Sequence, residues 1–217
     1  MNSQISGATS GPILPPGAEP IDFSDSKTRF ITDRCRGMRV LDLGCVMHDP
    51  AAFASRYFLH RAIAEVAADV TELDLHAEGV ENLRSLGFNA VVGNAEKFAF
   101  DDKFDVIVAG DIIEHLNNLD GFLTSVRGAL KPGGLLIVQT PNPWHWRFIV
   151  KSALKSEINV NFEHTCWFCV RTWRQLVARY DMRLDAVEFQ SRNRSDNLMP
   201  LPTAWKHTSW SAEVRLD

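Results

Sequence analysis

The feature that most constrains the fold of this chain is an alternation of short apolar runs with longer segments of helical periodicity. The apolar runs have the length of strands, and in order they are MRVLDLG (38–44), DVTELDL (69–75), NAVVG (89–93), FDVIVAG (104–110) and GLLIVQTP (134–141). FDVIVAG is apolar almost throughout, which is typical of a strand buried on both faces of a parallel sheet. Repeated strand–helix units of this spacing predict an α/β protein with a doubly wound, mostly parallel sheet and helices on both faces.

The segments between these runs have the residue pattern of helices, and the C-terminal region has that of two further strands. Apolar residues recur at helical spacing in these segments: 51–67, 77–87, 119–130 and 173–180. The sequence LKPGG (130–134) ends the third of these helices with proline and glycine. Two late strands, 182–190 and 211–217, are predicted to be antiparallel.

The composition is that of one domain with a flexible start. The chain has 217 residues and is 45% hydrophobic, which suffices for one sizeable core. Residues 1–20 are rich in Gly, Ser and Pro and predict a flexible tail, so a single domain is expected at 21–217. Three segments are expected to form the substrate pocket: 142–168, which is crowded with aromatic side chains, 191–208 and 21–37.

Charge and cysteine content restrict the classes of partner. The formal net charge is -4 and the pI is about 6.0, which disfavours a broad nucleic-acid surface. The four cysteines are scattered, which favours a reducing compartment over a disulfide framework. No secretory signal is recognisable, and no uncharged run approaches the roughly 18 residues of a membrane span. We therefore predict a cytoplasmic protein without a membrane partner.

The end of the first strand is the expected ligand site, because doubly wound sheets bind ligands at the carboxyl ends of their strands. There the sequence reads VLDLGCVMHDP, with Gly44 as its one glycine. A pyrophosphate would need G-x-G-x-x-G, so this loop favours a nucleoside ligand without phosphates. In this interpretation Gly44 allows close approach, Asp42 meets a ligand ammonium and Asp74 binds ribose hydroxyls. The segment GNAE (93–96), which ends the third strand, would face an adenine edge.

A set of motifs in this order resembles the class I S-adenosylmethionine-dependent methyltransferases: VLDLGC (40–45), VTELDL (70–75), GNAEKF (93–98), FDVIVAGDIIEHL (104–116) and LKPGGLLIVQTPN (130–142). The similarity extends from about residue 21 to the C terminus. It is best with the branch that includes the ubiquinone-biosynthesis O-methyltransferases and many small-molecule methyltransferases. The resemblance implies a Rossmann-like, seven-stranded sheet with one antiparallel strand, and S-adenosylmethionine as cofactor. It also implies cofactor contacts at the following residues: Asp42, Gly44, Cys45, Asp74, Leu75, Asn94, Ala95, Glu96 and Gly110.

The chain departs from the family pattern around this loop. Cys45 and the residues after it stand where relatives have further glycines, and Asn94 stands where Asp is usual. An amide can still bond the adenine edge, because it is both donor and acceptor. Asp74 follows Asp42 at a longer distance than the typical spacing of about 20 residues. The extra length is assigned to the predicted helix 51–67.

Four side chains near the end of the fourth strand are the catalytic candidates. GDIIEHL places Asp111, Glu114 and His115 on one face if the turn is helical, and His164 lies in the aromatic segment expected to cross the site. Three interpretations stay open: one of the histidines is a general base, the four side chains bind a divalent metal, or Glu114 and His115 only cap the helix. The metal interpretation follows the resemblance to small-RNA 2′-O-methyltransferases and some ubiquinone-pathway enzymes. No metal ligand is assigned, and a divalent metal is not the favoured cofactor.

Other conspicuous residues have structural interpretations. Cys166 and Cys169 form a single CxxC without a second pair, which disfavours a zinc or redox site. His48 and His60 are expected to be exposed. Four aromatic side chains either line the acceptor pocket or pack within a lid: Trp144, Trp146, Trp167 and Phe168.

These patterns predict a methyltransferase that acts on a small molecule, with a hydroxyl oxygen of a sugar, phenol or natural product as the favoured acceptor. The alternatives are a metal-assisted RNA 2′-O-methyltransferase and a cofactor-binding scaffold without activity. A nicotinamide oxidoreductase is disfavoured because the pyrophosphate loop and a Tyr-x-x-x-Lys pair are missing. The sequence leaves the oligomeric state open.

Overall fold

A computed structural model of the chain describes residues 17–46, 53–155 and 161–216. The described residues form one sheet of seven strands in the order β3-β2-β1-β4-β5-β7-β6. The strands are β1 (Arg39–Leu43), β2 (Asp69–Asp74), β3 (Ala90–Val92), β4 (Phe104–Gly110), β5 (Leu130–Pro141), β6 (Met182–Gln190) and β7 (Ser209–Leu216). The predicted doubly wound α/β fold is confirmed.

Strand direction follows the connections between the strands. β1 pairs in parallel with both β2 and β4, so the strand order reverses beside the first strand. β7 is antiparallel to β5 on one side and to β6 on the other. The two late strands pair antiparallel to each other, as predicted, and β6 runs with β5 because it is reached through a crossover helix. The single antiparallel strand implied by the family resemblance is β7.

Helices cover both faces of the sheet. They are α1 (Ser26–Cys35), α2 (Leu59–Val66), α3 (Ala77–Ser85), α4 (Leu119–Ala129), α5 (Trp146–Lys155), α6 (Val170–Val177), α7 (Arg194–Leu198) and α8 (Thr203–Lys206). Side chains alternate across β4: Val106 and Val108 join the core under α1 and α2, whereas Ile107 and Ala109 join the core under α4 and α6. The central strand is thus buried on both faces, as FDVIVAG predicts.

The helix predicted at 51–67 is shorter in the structure. α2 begins only at Leu59, and residues 51 and 52 lie outside the described residues. Phe53 and Phe58 are buried with ring centroids 5.1 Å apart and pack in one cluster with Cys45. Burying both rings under the first strand end favours a compact turn over a continuing helix. The extra length between the first two strand-end acids therefore precedes α2.

The N-terminal residues that the structure describes contact the domain. The backbone N–H of Glu19 donates to the carbonyl of Ala54, the Glu19 carboxylate pairs with Arg56, and its carbonyl accepts from Arg61. The part of the predicted tail from residue 17 onward is thus held against the segment before α2. None of the helices described has the length and apolar character that a membrane crossing requires.

Candidate functional site

Gly44 shapes the end of β1. Its φ of +72° lies in the left-handed region, and an added Cβ would stand 2.8 Å from Ile112 Cδ1. Its backbone N–H donates to the carbonyl of Leu73 at 2.9 Å, which ties the first loop to β2. The single glycine that the loop retains is therefore required by both the backbone conformation and the close approach.

A cavity of about 750 Å³ opens at the carboxyl ends of β1, β2 and β3. It is lined by six of the predicted cofactor residues: Gly44, Asp74, Leu75, Asn94, Ala95 and Glu96. Leu75 is 70% exposed, so its side chain offers an apolar surface that the protein itself leaves uncovered. A volume of this size is in the range of ligand pockets for molecules the size of a nucleoside.

A smaller cavity of about 320 Å³ adjoins the first at the end of β4. It is lined by the other predicted cofactor residues: Asp42, Cys45 and Gly110, together with Gly44. Gly44, Asp111 and His115 line both cavities. The structure thus brings every predicted cofactor residue to one of two neighbouring cavities.

Several of these polar side chains also hold loops in place. Asp74 accepts from the backbone N–H of Val46 through Oδ2 and from that of His76 through Oδ1, each at 2.8 Å. Glu96 Oε1 accepts from the backbone N–H groups of Asn117 (2.6 Å) and Asn118 (3.0 Å). The strand-end acids therefore fix the loops that form the walls of the larger cavity.

His60 is buried, which contradicts the prediction that it is exposed. Only 2% of its side chain is accessible, and its ring lies between two buried carboxylates. Nδ1 is 2.9 Å from Asp42 Oδ2, and Nε2 is 2.5 Å from Glu72 Oε1. Burial alone would lower the pKa of His60, but the hydrogen bonds and charges of the two acids outweigh burial and raise it to about 9. Asp42 is therefore paired within the protein as well as facing the smaller cavity.

Glu114 lies beneath the site and not on a shared face with the other candidates. It belongs to a 3-10 helix at Ile113–His115, and its side chain is buried while His115 reaches both cavities. Glu114 Oε2 accepts from Thr140 Oγ1 at 2.9 Å. Burial, followed by the charge of Asp111, raises the pKa of Glu114 to about 7.

The aromatic segment brings His164 to this cluster. The backbone carbonyl of Glu114 accepts from the N–H of Thr165 at 2.8 Å, which fixes the segment over the 3-10 helix. The rings of His115 and His164 are perpendicular with centroids 4.8 Å apart. Burial, then the neighbouring His115, lowers the pKa of His164, which favours its neutral form.

Three of the four catalytic candidates come together as one group of ligand atoms. One atom from each of Glu114, His115 and His164 lies within 4.8 Å of the others. Asp111 is not in this group: its Oδ2 accepts from Gln139 Nε2 at 3.0 Å and lies 3.5 Å from Lys27 Nζ. Asp111 has a φ of +51°, in the left-handed region, and lines both cavities. The predicted four-residue arrangement is thus reduced to three.

The other conspicuous residues lie outside the two cavities. Trp167 packs against Phe148 with centroids 5.1 Å apart, and Phe168 is buried against Trp173 at 5.3 Å. Neither cavity has any of the four predicted aromatic side chains among its described lining residues. Among the described residues, neither cysteine of the CxxC joins a metal-binding group. The packing interpretation therefore fits Trp167 and Phe168.

Sequence reasoning missed polar side chains that line the smaller cavity. Lys27 comes from α1, Gln139 from β5 and Arg192 from the segment after β6. Gln139 Oε1 has no hydrogen-bond partner among the described residues, and its amide is oriented because Nε2 donates to Asp111. The segments that carry Lys27 and Arg192 were expected at the pocket, although these side chains were not singled out, and Gln139 had the signal that its strand ends beside the fourth strand.

Comparisons with known proteins identify the family of the chain. A family model described as "Methyltransferase domain" matches residues 21–187. A ubiquinone biosynthesis O-methyltransferase of Bradyrhizobium sp. is 26% identical over 124 residues, which cover 56% of this chain and 46% of the relative. A fatty-acid O-methyltransferase of Mycolicibacterium smegmatis is 28% identical over 170 residues, which cover 69% of this chain and 60% of the relative.

Solved structures agree with the fold. An S-adenosylmethionine-dependent methyltransferase from Archaeoglobus fulgidus has a TM-score of 0.66 at 15% identity and covers 88% of this chain and 91% of its own. One from Mesorhizobium loti has a TM-score of 0.60 at 18% identity, with 87% and 95% covered. The chain spans about half the length of the ubiquinone-pathway relatives that it matches. Because the family model matches most of the chain, the protein belongs to the class I S-adenosylmethionine-dependent methyltransferases.

Proposed function

We propose that this protein transfers the methyl group of S-adenosylmethionine to a hydroxyl oxygen of a small molecule, such as a sugar, a phenol or a natural product. The observation that carries the proposal is the pair of adjoining cavities at the strand ends, lined by every residue predicted to contact the cofactor. The relatives from Bradyrhizobium and Mycolicibacterium are named as O-methyltransferases, which supports oxygen as the accepting atom.

The larger cavity has the groups that an adenosine moiety requires. The exposed side chain of Leu75, beside Ala95, suits the flat face of a base. Each oxygen of Asp74 accepts one backbone N–H and has a lone pair left for a ribose hydroxyl. Asn94 Oδ1 accepts from the N–H of Glu96 at 2.8 Å, which leaves Nδ2 as the donor toward the base edge.

The smaller cavity suits the amino-acid end of the cofactor and the acceptor. Asp42 supplies negative charge for an ammonium group, and Gly44 and Gly110 allow close approach. When bound, S-adenosylmethionine supplies an electrophilic methyl group on a sulfonium. The chain's principal contribution is then to hold the acceptor oxygen in line and to exclude water, since alignment accounts for much of such a barrier.

His164 is the proposed general base for a hydroxyl acceptor. Its lowered pKa keeps the imidazole neutral, so it can take up the hydroxyl proton as the oxygen is methylated. Glu114, whose pKa is about 7, can ionise beside the resulting imidazolium and stabilise it. His115 completes the group and faces both cavities.

A divalent metal is a second candidate for activating the acceptor. The observation in its favour is the clustering of one ligand atom each from Glu114, His115 and His164. Two imidazoles and a carboxylate form a donor set that zinc and other transition metals accept, and such an ion would lower the pKa of a bound hydroxyl. Titration of the apo protein with Zn²⁺ or Mn²⁺, compared with a His164→Ala variant, measures this directly. Binding that the variant loses supports the metal.

Two rival functions give different results in the same assays. A metal-assisted RNA 2′-O-methyltransferase would methylate RNA ends, and a chelator would abolish the activity. The net charge of -4 counts against this reading. A scaffold protein would bind the cofactor but methylate no acceptor.

The proposal is tested by incubating the protein with methyl-deuterated S-adenosylmethionine and a library of hydroxylated small molecules. We expect mass spectrometry to find acceptors that gain one labelled methyl group on oxygen. Cofactor binding without any labelled product across sugars, phenols and natural products would favour the scaffold instead.

A His164→Gln variant separates catalysis from binding. We expect its turnover to fall by about 10²- to 10⁴-fold, the usual contribution of a general base, while its affinity for S-adenosylhomocysteine stays at the wild-type value. The outcome against the base is a variant that turns over at the wild-type rate.

A further inference from the structure

Two acidic side chains lie side by side beneath the smaller cavity. Asp42 on β1 and Glu72 on β2 are register partners in neighbouring parallel strands, and both side chains are buried on the same face. Among the described residues, no hydrogen-bond donor reaches Glu72 Oε2. Neighbouring buried carboxylates disfavour the charge of one another, so a cation placed between them stabilises both.

His60 occupies the place that such a cation requires. It projects from α2, with Nδ1 hydrogen-bonded to Asp42 Oδ2 at 2.9 Å and Nε2 in an ion-pair contact, without hydrogen-bond geometry, 2.5 Å from Glu72 Oε1. The rings of Phe58 and Phe88 pack against its edges at 5.7 and 4.8 Å, which keeps water away and holds the imidazole in one orientation.

We propose that His60 is a positioning residue whose buried imidazolium bridges Asp42 and Glu72 and thereby keeps Asp42 ionised and oriented toward the cofactor's ammonium group. The inference rests on the proposed function only in assigning that ammonium group to Asp42. Two carboxylates and one imidazolium carry a net charge of minus one, which is the complement of a single ammonium group. The other charged side chains on this cavity have partners of their own, because Lys27 lies 3.5 Å from Asp111 and Arg192 lies 3.1 Å from Asp25.

Two thiols also face this cluster and add no charge to it. From β1, α1 and the first loop the neighbours are the thiols of Cys35 and Cys45, whose pKa values are raised by burial and then by the charge of Asp42. Both thiols are therefore uncharged. Burial opposes protonation of His60, but the two carboxylates raise its pKa to about 9, so it remains an imidazolium through neutral pH.

Removing His60 should therefore make cofactor affinity depend on pH in a new way. In a His60→Gln variant the two acids lack a counter-charge, so the pair retains a proton at neutral pH and Asp42 loses part of its charge. Raising the pH from 6 to 8 removes that proton and restores the charge. The variant should bind the cofactor most weakly at the acidic end of this range.

The test is calorimetric titration of S-adenosylhomocysteine at pH 6, 7 and 8 with the wild type, Glu72→Gln, His60→Gln and the double variant His60→Gln/Glu72→Gln. The dissociation constant of each variant is divided by that of the wild type at the same pH, which cancels the titration of the ligand's own amino group. We expect His60→Gln to bind roughly 10- to 100-fold more weakly at pH 6, the loss of one charge-assisted hydrogen bond, and to approach the wild type by pH 8. The double variant should recover affinity at every pH, because Asp42 no longer competes with a second acid.

The outcomes of these titrations separate the proposal for His60 from its alternatives. A His60→Gln variant with the affinity of the wild type at every pH, or a loss that is independent of pH and not rescued in the double variant, overturns the inference. If His60→Gln alone does not fold, recovery of folding and of binding in the double variant supports it, and a folded double variant that does not bind overturns it. A wild type that binds no S-adenosylhomocysteine contradicts the proposed function instead.

Discussion

Replacing Gly44 by alanine tests the geometry of the first loop. Gly44 has a φ of +72°, and its added Cβ would lie 2.8 Å from Ile112 Cδ1 and 3.3 Å from Cγ1. An L-residue held in the left-handed region costs about 1–2 kcal/mol, and the contact with Ile112 adds to that cost. The side chain of Ile112 can relieve the contact only by moving, and this side chain lines the larger cavity.

We therefore expect the free energy of unfolding of Gly44→Ala to fall by about 1–3 kcal/mol, and its affinity for S-adenosylhomocysteine to fall by roughly tenfold or more. Urea denaturation followed by tryptophan fluorescence measures the first quantity, and calorimetry measures the second. The matched control is Gly128→Ala in α4, where an added Cβ meets nothing within 4 Å. That control should stabilise the protein by up to about 1 kcal/mol without changing affinity. The reasoning about Gly44 is refuted if Gly44→Ala behaves as the control does.

Two further predictions concern the site. The folded protein keeps the proton of Glu114 up to a pKa of about 7 against an ordinary value of 4.5, so this group destabilises the fold increasingly as pH rises through that interval. With chelator present, the free energy of unfolding of Glu114→Gln should rise relative to that of the wild type by about 2–3 kcal/mol between pH 5 and 8. A difference between the two free energies that does not change with pH contradicts this. Leu75→Ala should weaken S-adenosylhomocysteine binding several-fold while the melting temperature of the free protein stays unchanged, because the side chain is exposed. If Leu75→Ala and the wild type bind S-adenosylhomocysteine equally well, the adenine does not lie on Leu75.

The sheet was predictable because its signal is local. The apolar run FDVIVAG coincides with β4 (Phe104–Gly110), and the ends of β1 at Leu43 and of β2 at Asp74 follow from where apolar character stops. Parallel strands bring their carboxyl ends to one edge, so residues far apart in sequence could be assigned to one site before the structure was known.

The buried position of His60 was harder to predict than the strands, because its signal is not local. It depends on the residue at which α2 begins, which is set by the length of the preceding loop. A signal was present, since His60 lies three residues before the buried Ile63 and thus on the same face of the helix. The assignment also needed the register of β1 against β2, which places Asp42 opposite Glu72.

The catalytic group differs from its prediction for a reason of helix geometry. An α-helical turn would align Asp111 with Glu114, but the turn is a 3-10 helix entered through a positive φ at Asp111. Glu114 consequently turns inward to Thr140, a residue of β5 whose position no local pattern reveals. Glu114 still contributes one ligand atom to the group with His115 and His164, and Asp111 is the candidate that lies outside it.

The measurement that tests the central claim most directly is a crystal structure of the protein with S-adenosylhomocysteine. We expect the adenosine moiety in the larger cavity, with its adenine on Leu75 and its ribose hydroxyls on Asp74. The homocysteine ammonium group should then lie at Asp42 in the smaller cavity, with the sulfur directed toward His115 and His164. A complex with the ligand bound outside these cavities, or with its amino-acid end away from Asp42, would contradict the account.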